Sequence, residues 1–320
     1  MGRNAGKPLI AAAVLVPLAG LLFPQDPVIR VEVRLVRLLV TVKDAAGQLI
    51  GSLDKSDFHI QDTGVRQDLA VFERHTEQPL QISLLVDISA STAKDLRYET
   101  ESVARFLKAV FREGNPGDEV ALYAFNYNVT RRSGFTRRLE RLERELKQLK
   151  AEGSTALYDA IYLAGRDLEE RGGRHVMVVV TDGGDTDSAK RFQDALKAAH
   201  RADAVFYSIL VMPILNDAGR NIGGENALAT LAAGTGGRVF YPSLGPGLDQ
   251  AFDEILKDLR TQYLLAFYPR NVPPAKDGFH PLRISLSRPG LRAVARNGYY
   301  GDSDPGGGRP PQGQGPSSSR

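Results

Sequence analysis

The chain has 320 residues, of which 42% are hydrophobic and 25% are charged, an ordinary globular composition with room for one large domain and a smaller companion. Lysine and arginine together number 41 against 38 acids, and the basic residues are spread along the chain, so nucleic acid is not an expected partner. The absence of cysteine excludes thiol catalysis, cysteine zinc sites, disulfides and a lipoprotein anchor.

Residues 1–25 have the pattern of an export signal. Arg3 and Lys7 precede an apolar stretch over residues 9–23 that is interrupted by Pro17, as in the charged and apolar regions of a signal peptide. This stretch is shorter than the roughly 20 residues that a helix needs to cross a bilayer, but no A-x-A cleavage site follows it. We therefore expect a protein exported to the periplasm, the cell envelope or the medium, with an uncleaved membrane anchor as the alternative.

The segment over residues 26–79 is strand-like. The runs VEVRLVRLLVTV, FHIQD and VRQDLAVF are separated by turns that are rich in polar residues and glycine. Such runs, bounded by such turns, are typical of antiparallel strands and hairpins. The sequence therefore predicts an N-terminal β segment.

Strand and helix patterns alternate over residues 80–260. The strand patterns include ISLLVDI, EVALYAF, HVMVVV and AVFYSILVM, and the helical patterns include ESVARFLKAVF, LERLERELKQLK, LYDAIYLAGRDLEE, FQDALKAAH and GLDQAFDEILKDLR. This alternation predicts an α/β domain in which a mostly parallel, doubly wound sheet has helices on both faces.

The strand pattern returns over residues 261–300, in YLLAFYP, LRISLS and LRAVARNGYY. We expect this C-terminal β segment to pair with the N-terminal one, so that a small β domain is split around the α/β domain. Residues 301–320 contain no aliphatic or aromatic side chain, and the sequence predicts a disordered tail there.

Oxygen-bearing side chains stand where three segments of the predicted sheet should meet. Asp87, Ser89 and Ser91 end one apolar strand, Asp182 ends another, and Thr155 begins a helical pattern. Carboxyl ends of parallel strands share one edge of the sheet, where ligands bind. Each residue alone is also explained as a helix cap or a turn former. Together, carboxylates and hydroxyls without imidazole or thiolate suit a hard divalent cation, above all Mg²⁺, with Mn²⁺ or Ca²⁺ as alternatives. An acid at the end of a core strand would then face a cation at the rim of the crevice.

The same motifs carry a family resemblance. The stretches DISAS at 87–91, GSTALYD at 153–159 and TDGGD at 181–185 resemble, in the same order, the three segments of the metal-ion-dependent adhesion site of von Willebrand factor type A domains. The resemblance implies a Rossmann-like domain over residues 80–260. It also implies direct metal coordination by Ser89, Ser91 and Thr155, with Asp87 and Asp182 acting directly or through water. The whole chain is similar to the related proteins common in acidobacterial genomes.

Three functions are compatible with such a site. The first is a binding module without catalysis, in which a vacant metal position accepts an Asp or Glu carboxylate from a partner protein. The second is a metal-dependent hydrolase, but among the histidines only His175 lies near a motif, and it falls at the start of its strand. The third is a structural envelope protein whose metal staples the fold, which requires a closed coordination shell. We expect the first. We expect Asp159 to be an acid in the first turn of its helix, where the helix dipole favours it, and Asp185 and Asp187 to be solvated loop acids or the cap of a helix that begins at Ser188.

Overall fold

The computed structural model describes residues 35–74, 77–211, 221–275 and 277–301. The predicted signal peptide lies outside the described residues, as does the predicted tail after Gly301. The strands are β1 (Val36–Lys43), β2 (Phe58–Asp62), β3 (Val65–Gln67), β4 (Leu69–Glu73), β5 (Leu80–Asp87), β6 (Glu119–Phe125), β7 (Val129–Thr136), β8 (Arg174–Thr181), β9 (Val205–Leu210), β10 (Arg238–Phe240), β11 (Tyr263–Phe267), β12 (Phe279–Leu286), β13 (Arg292–Val294) and β14 (Gly298–Tyr300). The helices are α1 (Leu96–Glu113), α2 (Leu139–Leu146), α3 (Leu157–Glu169), α4 (Phe192–Arg201), α5 (Ile222–Thr235) and α6 (Pro246–Thr261), and short 3₁₀ helices cover Lys55–Asp57 and Ala90–Lys94.

The central sheet has the strand order β10-β9-β8-β5-β6-β7, and all its neighbours are parallel except β6 and β7. Every residue of β5 and β8 is buried. Their nearly continuous apolar sequences fit this position, because a parallel sheet is covered on both faces. The adjacent strands β5 and β8 end at Asp87 and Thr181, so these two residues share the carboxyl edge of the sheet.

Helices cover both faces of this sheet, which confirms the predicted doubly wound arrangement. On one face α1 packs against α6, where the rings of Phe106 and Phe252 stack with centroids 4.7 Å apart. On the other face α3 packs against α4. The contact is close at Gly165 of α3, because a Cβ atom there would lie 2.9 Å from the Cβ atom of Ala198.

Two smaller antiparallel sheets are built from the segments on either side of the central domain. One has the order β13-β1-β11-β4 and the other the order β14-β12-β2-β3. In the first, Val36 lies opposite Phe267 and Val40 lies opposite Tyr263. The predicted pairing of the N-terminal and C-terminal β segments is therefore confirmed. The domain limits 26–79, 80–260 and 261–300 themselves stay a prediction.

The flanking sheets contact the amino edge of the central sheet, away from Asp87. Arg296, just before β14, pairs with Asp203 in the turn before β9, and it donates a hydrogen bond to the carbonyl oxygen of Arg37 in β1 at 2.5 Å. His200, near the end of α4, packs against the ring of Phe279 with centroids 5.3 Å apart. These contacts lie at the end of the sheet opposite to Asp87.

Three elements of the central domain were not predicted: α5, β7 and β10. The edge strand β7 runs antiparallel to β6, with register shifts along the pair. The start of α5 includes Gly223 and Gly224, which the sequence favoured as part of a loop. Among the described residues, no helix has both the length and the apolar composition needed to cross a membrane.

Candidate metal centre

Asp87 is the last residue of β5, and its side chain is fully buried. Its Oδ1 atom accepts a hydrogen bond from the backbone N–H of Ser89 at 2.8 Å, and its Oδ2 atom accepts one from the hydroxyl of Thr181 at 2.6 Å. Burial raises the pKa of Asp87 to about 6, although both hydrogen bonds act in the opposite direction. The carboxyl group is therefore not the exposed rim charge that the sequence led us to expect. It is a buried acid oriented by two donors.

The two predicted serines follow Asp87 in the loop that leads to α1. Ser89 is buried and Ser91 is exposed, and their hydroxyl oxygens are 3.1 Å apart. Thr92 fixes this loop from inside, because its buried hydroxyl donates a hydrogen bond to the carbonyl oxygen of Ser89 at 3.0 Å. The loop thus presents two hydroxyl oxygens side by side at the end of β5.

Asp182 follows β8 directly and is half-buried. Burial raises the pKa of Asp182, and a hydrogen bond with the Ser91 side chain opposes this effect. The charge of Asp182 in turn raises the pKa of Asp87. Hydrogen bonds therefore join four of the five predicted residues, Asp87, Ser89, Ser91 and Asp182, in one network.

Thr155 lies in the loop before α3 and is buried. Its carbonyl oxygen accepts hydrogen bonds from the backbone N–H groups of Thr186 at 2.8 Å and Asp187 at 3.0 Å. Two residues earlier, the carbonyl oxygen of Gly153 accepts a hydrogen bond from the N–H of Ala90 at 2.9 Å. The segment Gly153 to Thr155 thus contacts both loops that carry the other four residues, one through Gly153 and the other through Thr155.

The neighbouring acids have structural roles. The carboxylate of Asp185 accepts hydrogen bonds from the N–H of Tyr158 at 3.2 Å and from the N–H of Ser188 at 3.3 Å. Asp159 accepts hydrogen bonds from the N–H groups of Ala189 at 2.9 Å and Lys190 at 2.7 Å. Asp159 lies in the first turn of α3, as expected. Asp185 is half-buried, and together with Asp159 it ties the loop after β8 to that turn.

Glu99 in α1 belongs to the surroundings of this site, although the sequence analysis did not include it. Its side chain is fully buried, and neither carboxylate oxygen has a hydrogen-bond partner. Burial, and then the negative charges of Asp87, Asp182 and Asp95, raise the pKa of Glu99 to about 8. The sequence carried a signal for this residue, because Glu99 interrupts a helical apolar stripe formed by Leu96, Val103, Leu107 and Val110.

The start of α5 is a second feature that sequence reasoning missed. Asn221 caps the helix by accepting a hydrogen bond from the N–H of Gly224 at 2.8 Å. Gly224 also lies against Gly184 in the loop after β8, because an added Cβ atom on Gly224 would be 2.3 Å from the Cα atom of Gly184. Two glycines in contact therefore set the position of the loop that follows Asp182.

The chemistry of these side chains fits a divalent cation. Asp87, Asp182 and Glu99 are acids whose pKa values are all raised by burial, and no basic side chain is among the main causes of these shifts within the described residues. An unbalanced negative charge next to paired hydroxyls favours a hard cation. In the described ranges, no three His, Cys, Asp or Glu side chains are placed to hold an ion together. A cation at this site would thus depend on hydroxyl groups and water as well as carboxylates.

Comparison with known proteins identifies the domain. Residues 82–185 match the family model of the von Willebrand factor type A domain. This part of the chain is therefore a von Willebrand factor type A domain, which confirms the resemblance at the level of the domain. The metal site within it stays a prediction. The similarity of the whole chain to the acidobacterial proteins stays a prediction. The comparison with curated proteins found no match.

Several solved structures are similar to part of the chain. An aerotolerance-related membrane protein from Bacteroides fragilis is 19% identical, with 56% of this chain and 98% of that chain covered and a TM-score of 0.44. The conserved hypothetical protein BatB from Bacteroides thetaiotaomicron is 18% identical, with 56% of this chain and 98% of that chain covered and a TM-score of 0.45. The domain of the type V pili tip protein Mfa5 from Porphyromonas gingivalis is 14% identical, with 57% and 95% covered and a TM-score of 0.45.

Proposed function

We propose that this protein is an exported binding module that holds a divalent cation at the carboxyl edge of β5 and β8 and binds a partner protein through it. The cation is Mg²⁺, or else Mn²⁺ or Ca²⁺, and the partner donates an Asp or Glu carboxylate to a vacant metal position. The observation that carries the proposal is the single hydrogen-bonded network of Asp87, Ser89, Ser91 and Asp182, with Thr155 between the loops. Such a set of oxygen ligands with few charges leaves a bound cation with positive character towards an incoming carboxylate.

The surface around this edge supports recognition of a protein. Tyr98 lies in the first turn of α1, Tyr127 follows β6, Ile222 begins α5 and Tyr241 follows β10, and each is at least 50% exposed. All four positions follow the carboxyl ends of sheet strands. Exposed aromatic and aliphatic side chains are typical of protein interaction surfaces.

Tyr127 links this surface directly to the site. Its ring lies against Gly153, where an added Cβ atom would be 2.4 Å from Cδ1 of the tyrosine. Gly153 in turn precedes Thr155 by two residues. A partner that contacts Tyr127 would therefore also reach the edge at which the cation is proposed to bind.

A binding role without catalysis is the better proposal for these residues. His175, which the sequence placed nearest to a motif, is the second residue of β8 and so lies at the amino edge of the sheet. Its ring is buried and contacts the carbonyl oxygens of Arg171 and Ala202. Burial lowers the pKa of His175. It is thus not positioned to transfer protons at the opposite edge.

Export follows from the sequence pattern of residues 1–25. We expect processing between Gly20 and Pro27, which mass spectrometry of the mature N-terminus would check. A mature chain that retains residues 3–23 in the membrane fraction would show an anchored protein instead.

Calorimetric titration with Mg²⁺ and Mn²⁺ tests the metal site. We expect binding in the micromolar to millimolar class, because few carboxylates contribute, and we expect loss of binding in Asp87→Ala and Thr155→Ala. Asp253→Ala, which removes an exposed acid of α6, is the matched control and should bind as the wild type does. No heat with either cation in the wild-type protein would contradict the metal site. Loss of cooperative unfolding in Asp87→Ala would favour a structural staple.

A pull-down from envelope extract, with and without EDTA, tests the recognition step. We expect capture of a partner to require the cation, and we expect Thr155→Ala to weaken it while Asp253→Ala does not. If the partner protein binds with unchanged affinity in EDTA, and also binds Thr155→Ala with unchanged affinity, the metal is incidental to recognition.

A further inference from the structure

Glu99 is a buried acid whose oxygens have no hydrogen-bond partner among the described residues. A buried carboxyl group without a partner costs several kcal/mol when it is charged, so proteins rarely retain one without a compensating group. The groups that interact with it electrostatically are acids, namely Asp87, Asp182 and Asp95. Nothing among these neighbours compensates a negative charge.

The position of Glu99 in the first turn of α1 brings it near the proposed site. The helix begins directly after the loop that carries Ser89 and Ser91, and the N–H of Glu99 donates a hydrogen bond to the carbonyl oxygen of Asp95 at 3.0 Å. Glu99 therefore lies one turn into the helix, on its buried face. Asp87 is first among the charges that act on it. An unpaired, buried acid thus lies one helical turn after the loop that carries Ser89 and Ser91, and the charges of Asp87 and Asp182 act on it.

Glu99 does not join Asp87 and Asp182 as a third carboxylate on one ion. Within the described residues, no three carboxylates are placed close enough to hold one ion together. Mg²⁺, however, usually keeps several of its waters when it binds to a protein. Each metal-bound water donates two hydrogen bonds and needs acceptors. The two unpaired oxygens of Glu99 are acceptors of this kind.

We propose that Glu99 is an outer-sphere ligand of the cation, accepting hydrogen bonds from metal-bound water. This inference rests on the proposed function, since it requires a cation at the site. It adds a residue that lies outside all three sequence motifs. It also gives the buried carboxylate both a hydrogen-bond partner and a compensating charge in the metal-bound state.

The test is the affinity for Mg²⁺ of Glu99→Gln, measured by calorimetry on the full chain. Outer-sphere substitutions typically weaken metal binding by about 10-fold or more, and we expect a loss of this size. Glu101→Gln is the matched control, because Glu101 is an exposed acid of the same helix that pairs with Arg97 at 3.0 Å. It should bind Mg²⁺ with unchanged affinity.

A second readout separates a role at the metal from a role in packing. We expect Glu99→Gln to unfold in EDTA at the same temperature as the wild type or higher, because the substitution removes an unpaired buried acid. The rise in unfolding temperature on adding Mg²⁺ should be smaller than in the wild type. A residue important only for packing would shift both temperatures equally. Glu99→Met gives the same comparison if the glutamine variant folds poorly.

The outcomes distinguish this inference from the proposed function. If the wild-type protein binds Mg²⁺ and Glu99→Gln binds it with equal affinity, the outer-sphere role is wrong and the metal site stands. If the wild-type protein binds no cation, both are overturned.

Discussion

Asp87 shows how a single acid can be buried at the end of a core strand. Its two oxygens each accept one hydrogen bond, from the N–H of Ser89 and from the hydroxyl of Thr181. These bonds orient the carboxylate, but burial still raises its pKa to about 6. The two hydrogen bonds therefore do not fully offset the cost of burying the charged form of Asp87.

This balance predicts a difference between two substitutions of Asp87. Asp87→Asn keeps an acceptor for the Ser89 amide and removes the buried charge, so in EDTA it should be at least as stable as the wild type. Asp87→Ala leaves the Thr181 hydroxyl without its acceptor and should be less stable than Asp87→Asn by about 1–3 kcal/mol. Urea denaturation in EDTA checks this order. Equal stabilities of the two variants would show that the hydrogen bonds to Asp87 contribute nothing.

At the scale of elements, α5 and the loop after β8 approach each other closely near the site. Gly224 approaches Gly184 so closely that an added Cβ atom would be 2.7 Å from the Gly184 nitrogen. At Gly223, by contrast, an added Cβ atom would meet only the Asn221 Oδ1 atom, at 3.5 Å. Both glycines lie in the first turn of the same helix.

The two glycines therefore predict opposite effects of alanine. Gly224→Ala forces backbone atoms apart and should destabilise the protein by about 1–3 kcal/mol. Gly223→Ala should stabilise it by up to about 1 kcal/mol, because alanine favours the helix more than glycine does. Thermal unfolding of both variants checks the signs. Stabilisation by both substitutions would mean that the contact with Gly184 adapts easily.

His200, near the end of α4, predicts that the stability of the protein depends on pH. Burial, and then the charge of Arg296, lower the pKa of His200 from 6.5 to about 4, although the Gly298 backbone and Asp203 favour the charged form. A lowered folded-state pKa means that the unfolded chain binds the proton more readily. The contribution of the neutral His200 to the free energy of unfolding is thus complete above pH 6.5 and is lost as the pH falls through about 4.

The size of this effect follows from the pKa difference. At about 1.4 kcal/mol per pKa unit, His200 accounts for roughly 3 kcal/mol of the acid destabilisation. His200→Gln should therefore lose less stability than the wild type between pH 7 and about pH 4, as measured by urea denaturation at each pH. Parallel pH profiles for the two proteins would contradict the prediction. The wild type and His200→Gln both keep the rings of Phe279 and Tyr300, against which residue 200 packs.

These elements also show what the sequence could and could not predict. The strands β5 and β8 were predicted because long apolar runs ending in polar residues are a local signal. The start of α5 was not, since Gly223 and Gly224 disfavour a helix locally, and the contact of Gly224 with Gly184 joins residues that are distant in sequence. Glu99 was missed for a similar reason. Its importance comes from charges on other elements, whereas Asp87, Ser89 and Ser91 form one contiguous motif.

At the scale of the whole molecule, the central domain is an insertion into one antiparallel sheet. The strand before it, β4, and the strand after it, β11, are paired, with Glu73 opposite Leu264. Arg296 joins the parts further, because it contacts Asp203 of the central domain and Arg37 of β1. A single buried guanidinium group therefore connects the N-terminal, central and C-terminal segments.

Arg296 should consequently be important for stability. Arg296→Ala removes the partner of a half-buried Asp203, and we expect a loss of about 2–3 kcal/mol, at or below the range for fully buried pairs because Asp203 is partly exposed. Arg292→Ala, which removes an exposed arginine of the neighbouring strand β13, is the control and should change stability little. Denaturant unfolding of both variants gives the comparison. Equal effects would show that the contacts of Arg296 are not specific.

The paired flanking strands also determine where mechanical tension would act. A pull applied to Leu35 and Gly301 loads β1 and β14 first. The ladder between β1 and β13, in which Thr41 lies opposite Val294, connects the two ends without passing through residues 44–291. Tension would therefore be borne by the flanking strands before it reached β5 or β8. The network around Asp87 would keep its geometry under a load that had already begun to strain the flanking sheets.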